Sequence, residues 1–238
     1  MRILAVADVE DQALGERFDR ARWAKKGVEL IVSCGDLKPA YLDYLVSVFN
    51  VPCFYVRGNH DTSYKEQASL LGGCVNLDGR VETYKGIRFF GLEGSAWYSG
   101  GPAQYTEREM WWRAFWAGLS LRQTGGADVF VAHSPPRLCP LPESRCLCLH
   151  PPAGTPPNAM GAPCYVDPQR RLWDFDDPPH HGFDVFRRLI IKHQPQVFLH
   201  GHTHLGYGRR PRELMLGRTR LIDAYGYVLV DVERTGGR

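Results

Sequence analysis

The sequence predicts an α/β fold with a largely parallel sheet, and three observations predict it. Short apolar runs alternate with stretches of helical character. Each run is apolar throughout, as a strand buried on both faces is, and does not alternate in and out. Each run also ends in a small polar cluster, at the strand ends where sheets of this kind bind ligands.

The elements follow in order. Arg2–Ala7 reads as a strand, and Gln12–Lys26 as a helix with a polar outer surface. Glu29–Cys34 is a second strand, ending in Gly35-Asp36. Pro39–Phe49 reads as a helix with proline in its first turn, where the missing N–H costs nothing. Pro52–Val56 is a third strand, running into Gly58-Asn59-His60-Asp61. A helix is expected near Ser63–Leu71. Val81–Tyr84 and Ile87–Phe90 flank Lys85-Gly86 and read as a β-hairpin. Thr106 and Glu109 make a capping box that opens a helix to about Arg122. Trp111, Trp112, Phe115 and Trp116 cover more of that helix than one core stripe. They are expected to pack mainly in the core, the alternative being an edge that meets a partner.

Asp128–Ala132 is a further buried strand with His133 at its end. Phe183–His193 reads as an amphipathic helix stopping before Pro195, and Gln196–Leu199 as a strand leading to His200-Gly201-His202-Thr203-His204. The tail to Val232 reads as antiparallel strands closing the sheet. With no internal repeat and no interdomain linker, residues 1–238 are read as one domain.

Ser134–Phe175 differs from the rest. It is proline-rich, lacks periodicity and holds Cys139, Cys146, Cys148, Cys164 and His150. It reads as a long surface insertion over the site, in the manner of a lid. Structural zinc is an alternative, but the spacing is not the paired C-x-x-C of a zinc ribbon.

Composition narrows the class. At 238 residues the chain can bury a sizeable core. No apolar run approaches the ~18 residues of a membrane span. The apolar start ends at the carboxylate of Asp8, unlike a secretory signal, so a cytoplasmic protein with no membrane partner is expected. Cys34, Cys53 and Cys74 sit among strand-like residues and read as reduced thiols. A net charge of +3 is too small to argue for nucleic acid.

The clusters carry chemistry. Asp8 and Glu10, two apart on an extended segment, would point to one side. Asp36 follows a glycine that lets it come close, and its two oxygens can each take a cation. His202 and His204 are again two apart, Asn59 offers a neutral oxygen, and His133 an imidazole. Buried charges without partners are expensive, so packing alone does not explain such a set. Mixed nitrogen and oxygen donors suit manganese, iron, zinc or nickel.

These motifs, in this order from Asp8 to His204, resemble the calcineurin-like metallophosphoesterase superfamily, and the small stand-alone prokaryotic members most. The resemblance implies a two-sheet β-sandwich flanked by helices, four layers in the order αββα, with two divalent metal ions. Asp8 and His204 would bind the first, Asp36 would bridge, and Asn59, His133 and His202 would bind the second. His60 would be the general acid, or a donor to the transition state, and Asp61 would orient it. A hydroxide bridging the metals would attack a phosphomonoester or phosphodiester.

Manganese or iron is expected first, with zinc, nickel or magnesium also compatible. Glu10 stands where most of the superfamily has histidine. It reads as a ligand of the first metal, against the alternative of a solvated turn residue capping the next helix. Asp176 and His180-His181-Gly182 would return to the site, His180 towards the substrate. Two other readings stand beside the enzyme. One is a binding scaffold that has lost catalysis, against which His60 argues. The other is a nuclease, suggested by Arg209, Arg210, Arg212, Arg218 and Arg220 but not favoured over a solvated hairpin.

Overall fold

A computed structural model describes residues 1–64, 66–137, 180, 182–204 and 212–234. Among the described residues, thirteen strands form two large sheets and a short pair. The first sheet has the order β13-β1-β2-β3-β4 and the second β11-β12-β10-β9-β6-β5.

In the first sheet β1 (Arg2–Ala7), β2 (Leu30–Ser33), β3 (Cys53–Tyr55) and β4 (Cys74–Asn76) are parallel, and β13 (Gly226–Asp231) runs antiparallel on the edge. In the second, β6 (Ile87–Leu92), β9 (Val129–Ala132), β10 (Val197–His200) and β12 (Thr219–Asp223) are parallel. Their edges are the antiparallel β5 (Val81–Tyr84) and β11 (Glu213–Leu216). The short pair is β7 (Ser95–Ala96) with β8 (Gln104–Tyr105).

The continuous apolar runs follow from burial on both faces. Ile3, Ala5 and Ala7 of β1 point between the sheets, where they meet Phe89, Val131 and Leu199 of the second sheet. Leu4 and Val6 point the other way, under α1 (Arg20–Ala24) and α2 (Pro39–Phe49) with Trp23, Leu42 and Leu45. On the far side, Phe130 and Phe198 pack against α3 (Glu107–Gln123) and α4 (Asp184–His193) through Met110, Ala114 and Phe186. The layers are helix, sheet, sheet, helix, as the motifs imply. Each such side chain taken fully out of water contributes roughly 1.5–3 kcal/mol before entropy is subtracted.

Several elements form as the sequence dictates. Lys85 and Gly86 both have positive φ, 50° and 77°, the geometry of a type I′ hairpin turn. Thr106 and Glu109 close the capping box of α3. Gln194 takes a left-handed C-cap on α4 just before Pro195.

Others differ. The helix expected over Gln12–Lys26 is turns as far as Arg17 and a helix only over Arg20–Ala24. The side chain of Asp19 accepts hydrogen bonds from the N–H groups of Ala21 and Arg22, which caps a new helix instead of continuing an old one. The Ser63–Leu71 helix is two short 3₁₀ turns, Thr62–Tyr64 and Ala68–Leu71. The tail does not close one sheet. Its β11–β12 hairpin joins the second sheet and β13 the first.

The insertion beyond Arg137, with Cys139, Cys146, Cys148, His150, Cys164 and Asp176, lies outside the described residues, as do His181, Arg209 and Arg210. The flanking residues are joined. The Arg137 N–H donates to the Phe183 carbonyl at 3.0 Å and the Phe183 N–H to the Pro135 carbonyl at 3.1 Å. Among the described residues, no helix is long and apolar enough to cross a membrane.

Candidate metal centre

The parallel strands of both sheets end at one rim, and the polar clusters meet there. Asp8 follows β1 with φ 64° and Asp36 follows β2 with φ 57°, both left-handed. The two turns hold each other, since the Asp8 N–H donates to the Gly35 carbonyl at 3.1 Å. The carboxylate of Asp8 accepts the His202 N–H at 3.0 Å to each oxygen, which ties the first sheet to the turn after β10.

Gly58 has a steric reason. A Cβ there would run into the carboxylate of Asp36 and stand 2.7 Å from Cε1 of His133. Only glycine lets the β3 turn pass under the cluster. Asp61, buried, fixes that turn by accepting the N–H groups of Gly58 at 2.7 Å and Asp36 at 2.9 Å. It therefore holds the backbone, where the sequence reading had it orienting the imidazole of His60. Arg57, next in the chain, forms a bidentate pair with the buried Glu93, both bonds 2.7 Å, and clamps the turn to the end of β6.

His133 is fully buried. Its Nδ1 lies 2.8 Å from the Cys34 carbonyl, its Nε2 3.0 Å from Asn59 Oδ1 and 3.4 Å from Asp36 Oδ2. All three neighbours are acceptors. Burial alone would lower the pKa of this ring, but the charge and hydrogen bond of Asp36 prevail and raise it to about 9. Asp36 shows the converse. Burial would raise its pKa, and His133 together with the His60 N–H brings it down to about 2. With Nδ1–H committed to a carbonyl, the Nε2 lone pair and two oxygens converge on one point, as a metal's ligands do.

His202 completes the group. One donor atom each from Asp36, His133 and His202 lie within 4.8 Å of one another. The His202 ring is 4.7 Å from that of His133. His180 borders the same space, 5.2 Å from His202 and 6.1 Å from His204, and His204 packs on Tyr225 at 5.2 Å. A convergent set of buried carboxylate, amide oxygen and imidazoles fits a divalent cation.

His60 stands apart in exposure. Its N–H is held by Asp36 Oδ1 at 2.8 Å, while its side chain is 73% exposed with Nε2 4.0 Å from Asp36 Oδ2. Glu10 stands apart in direction. The left-handed turn at Asp8 breaks the extended segment on which the Asp8–Glu10 spacing relied. The Glu10 carboxylate is 42% exposed and lies 3.7 Å from the Lys38 ammonium.

Sequence reasoning missed Tyr98 and Asp223. Asn59 Nδ2 donates to the Tyr98 hydroxyl at 2.9 Å, which turns Oδ1 towards His133. Asp223 ends β12, is fully buried, and accepts the Thr203 hydroxyl at 2.9 Å and the Tyr225 N–H at 2.9 Å, anchoring the His202–His204 turn. A carboxylate ending an apolar run was the available signal, the same one that singled out Asp8. Two of the five arginines have side-chain partners among the described residues. Arg212 donates to the carbonyls of Asp223, Tyr225 and Tyr227, and Arg220 pairs with Glu213 at 2.7 Å.

The rim carries unbalanced charge. Burial raises Asp8 and Asp61 to about 6 and Asp223 to about 7. A carboxylate whose folded pKa exceeds its unfolded value favours folding while protonated, and that contribution is lost as pH rises through the two values. The metal-free protein should therefore lose stability between about pH 4 and 7 from these groups. A cation offsets the loss and needs Asp8 ionised and His133 deprotonated at Nε2. The rise in melting temperature on adding manganese should grow from pH 5 to pH 8. Differential scanning fluorimetry checks this, and a shift that shrinks with pH would contradict it.

A two-sheet sandwich with a carboxylate–imidazole cluster where both sheets' strands end defines the metallophosphoesterase class of fold and site. The family model for calcineurin-like phosphoesterases matches residues 1–206, and the chain belongs to that family. One solved structure is 17% identical over 97% of this chain and 94% of its own, with a TM-score of 0.59. Another, TT1561 of Thermus thermophilus, is 17% identical over 94% of this chain and 89% of its own, with a TM-score of 0.56. At that identity they show the fold alone. No curated protein matches the chain.

Proposed function

We propose that this protein is a dinuclear-metal phosphoesterase that hydrolyses a phosphomonoester or phosphodiester. The observation that carries the reading is the convergence of Asp36, His133, His202 and Asn59 on one point beneath an exposed His60. Asp8 and His204 would hold the first cation, Asp36 would be shared, and Asn59, His133 and His202 would hold the second. The cations, manganese or iron by preference, supply Lewis acidity towards phosphoryl oxygens and make water acidic near neutral pH. Glu10 is left out of the ligand set because its carboxylate turns towards Lys38.

The chain's own groups do the rest. Asp8, through the His202 N–H, keeps both sheets' ligands in one register. The Cys34 carbonyl holds the His133 proton on Nδ1, which leaves Nε2 to a cation. The Arg57–Glu93 pair and Asp61 keep the Gly58–His60 turn from shifting when substrate binds. His60 reaches into solvent, where it can give a proton to the leaving oxygen. His180, which follows the insertion in sequence, borders the cluster and would meet the substrate.

The test is the purified protein with manganese against a panel of mono- and diesters. Turnover that requires the metal and vanishes with chelator supports the enzyme. Stoichiometric metal binding with no turnover on any ester would favour the scaffold reading.

A further inference from the structure

Helix α3 is apolar on two sides. Met110, Ala114, Ala117 and Leu121 face the core. Trp111, Trp112, Phe115, Trp116 and Leu119 face outward at 43–63% exposure, the aromatics stacked edge-on or in parallel along the helix. Half-exposed aromatics show on the order of 100 Å² each, so the stripe reaches the several hundred Å² that mark an interaction surface. None of these residues belongs to the metal centre.

We propose that this face binds a second copy of the chain, with two α3 helices packed antiparallel about a twofold axis at Phe115. The stripe is self-complementary in shape. Phe115 is the midpoint of α3 (Glu107–Gln123). Trp111 stands four residues before it and Gly118 three after, on the same flank of the helix, so each Trp111 meets the partner copy's Gly118. Among the described residues a Cβ at Gly118 would meet nothing within 4 Å, so none of them requires glycine there, although glycine weakens a helix. Its absent side chain helps open a groove of about 210 Å³, lined also by Ala114, Phe115, Leu119 and Leu189. That is room for one indole.

The charges agree. The first turn of α3 is acidic, with Glu107 and Glu109, while Arg122 and the Lys192–His193 end of α4 make the opposite end basic. Rotation about Phe115 sets acidic end on basic end and opposes the helix dipoles. The like pair this register creates, Arg108 against the other copy's Arg122, is flanked by Glu107 and Glu109. Aromatics at the centre with charges at the ends is the anatomy of a stable interface.

Sedimentation velocity of the full chain, up to about 100 µM, reads the outcome. The wild type should be a dimer. Trp111→Glu should weaken it by at least about tenfold, the scale of a central aromatic anchor. Gly118→Leu fills the groove and should do the same while circular dichroism shows an intact fold. A wild-type monomer at the highest concentration overturns the proposal. So does a dimer that both variants leave unchanged. Monomer that instead binds phosphatidylglycerol vesicles through Trp111 would assign the face to an anionic lipid surface.

Discussion

Asp36→Asn should lose metal and activity together, and more completely than any other single ligand substitution. The amide keeps the shape of the carboxylate. It can still accept the His60 N–H that Asp36 Oδ1 accepts at 2.8 Å. What it removes is the negative charge that faces Nε2 of His133 from 3.4 Å. That charge is what keeps the buried His133 ring protonated in the metal-free protein and what two cations would share in the loaded one. We expect at least one metal ion fewer per chain and a fall in turnover of about 10³-fold or more, the upper end for removing one electrostatic partner.

A second reading separates loss of charge from loss of shape. With Asp36 neutral, burial dominates at His133, so its pKa in the metal-free variant should drop below the wild-type value of about 9. NMR titration of the imidazole reports that directly. Two metals per chain by elemental analysis in the variant would sink the bridging role.

Which parts of this molecule could be read from sequence follows from how far each signal reaches. The strand ends were readable because the apolar runs to Ala7, Cys34, Val56 and Ala132 stop within a residue of the observed strand ends and polar residues soon follow. The capping box at Thr106 and the turn at Lys85-Gly86 were readable because each is settled within a few residues. The Glu10 geometry was not. It depends on φ at Asp8, and a left-handed aspartate is decided by the Gly35 carbonyl and the His202 N–H, residues far away in sequence.

The tail was misread for a related reason. β12 and β13 have similar composition, yet one pairs with β10 and the other with β1, a choice made by packing across the core. Asp61 shows the limit at a single side chain. Its neighbour in sequence is His60, but its oxygen turns back to two backbone N–H groups that the sequence does not place.

His60→Ala should keep its metals and lose turnover by about 10²–10³-fold, within the range for a general acid. The side chain is 73% exposed, so its removal opens no cavity, and its contact with Asp36 Oδ2 is a long one of 4.0 Å. The backbone N–H that binds Asp36 remains in alanine, so the carboxylate keeps that support. Metal content should therefore match the wild type. The size of the loss should depend on what leaves. A nitrophenolate departs without a proton, so a nitrophenyl ester should suffer little. An alkoxide needs one, so an alkyl ester should suffer most. A loss of equal size on both esters would mean that His60 positions the phosphoryl group by hydrogen bonding and protonates nothing. Wild-type rates on the alkyl ester would remove it from the reaction, and the exposed imidazole would be a surface residue beside a metal site that works without it.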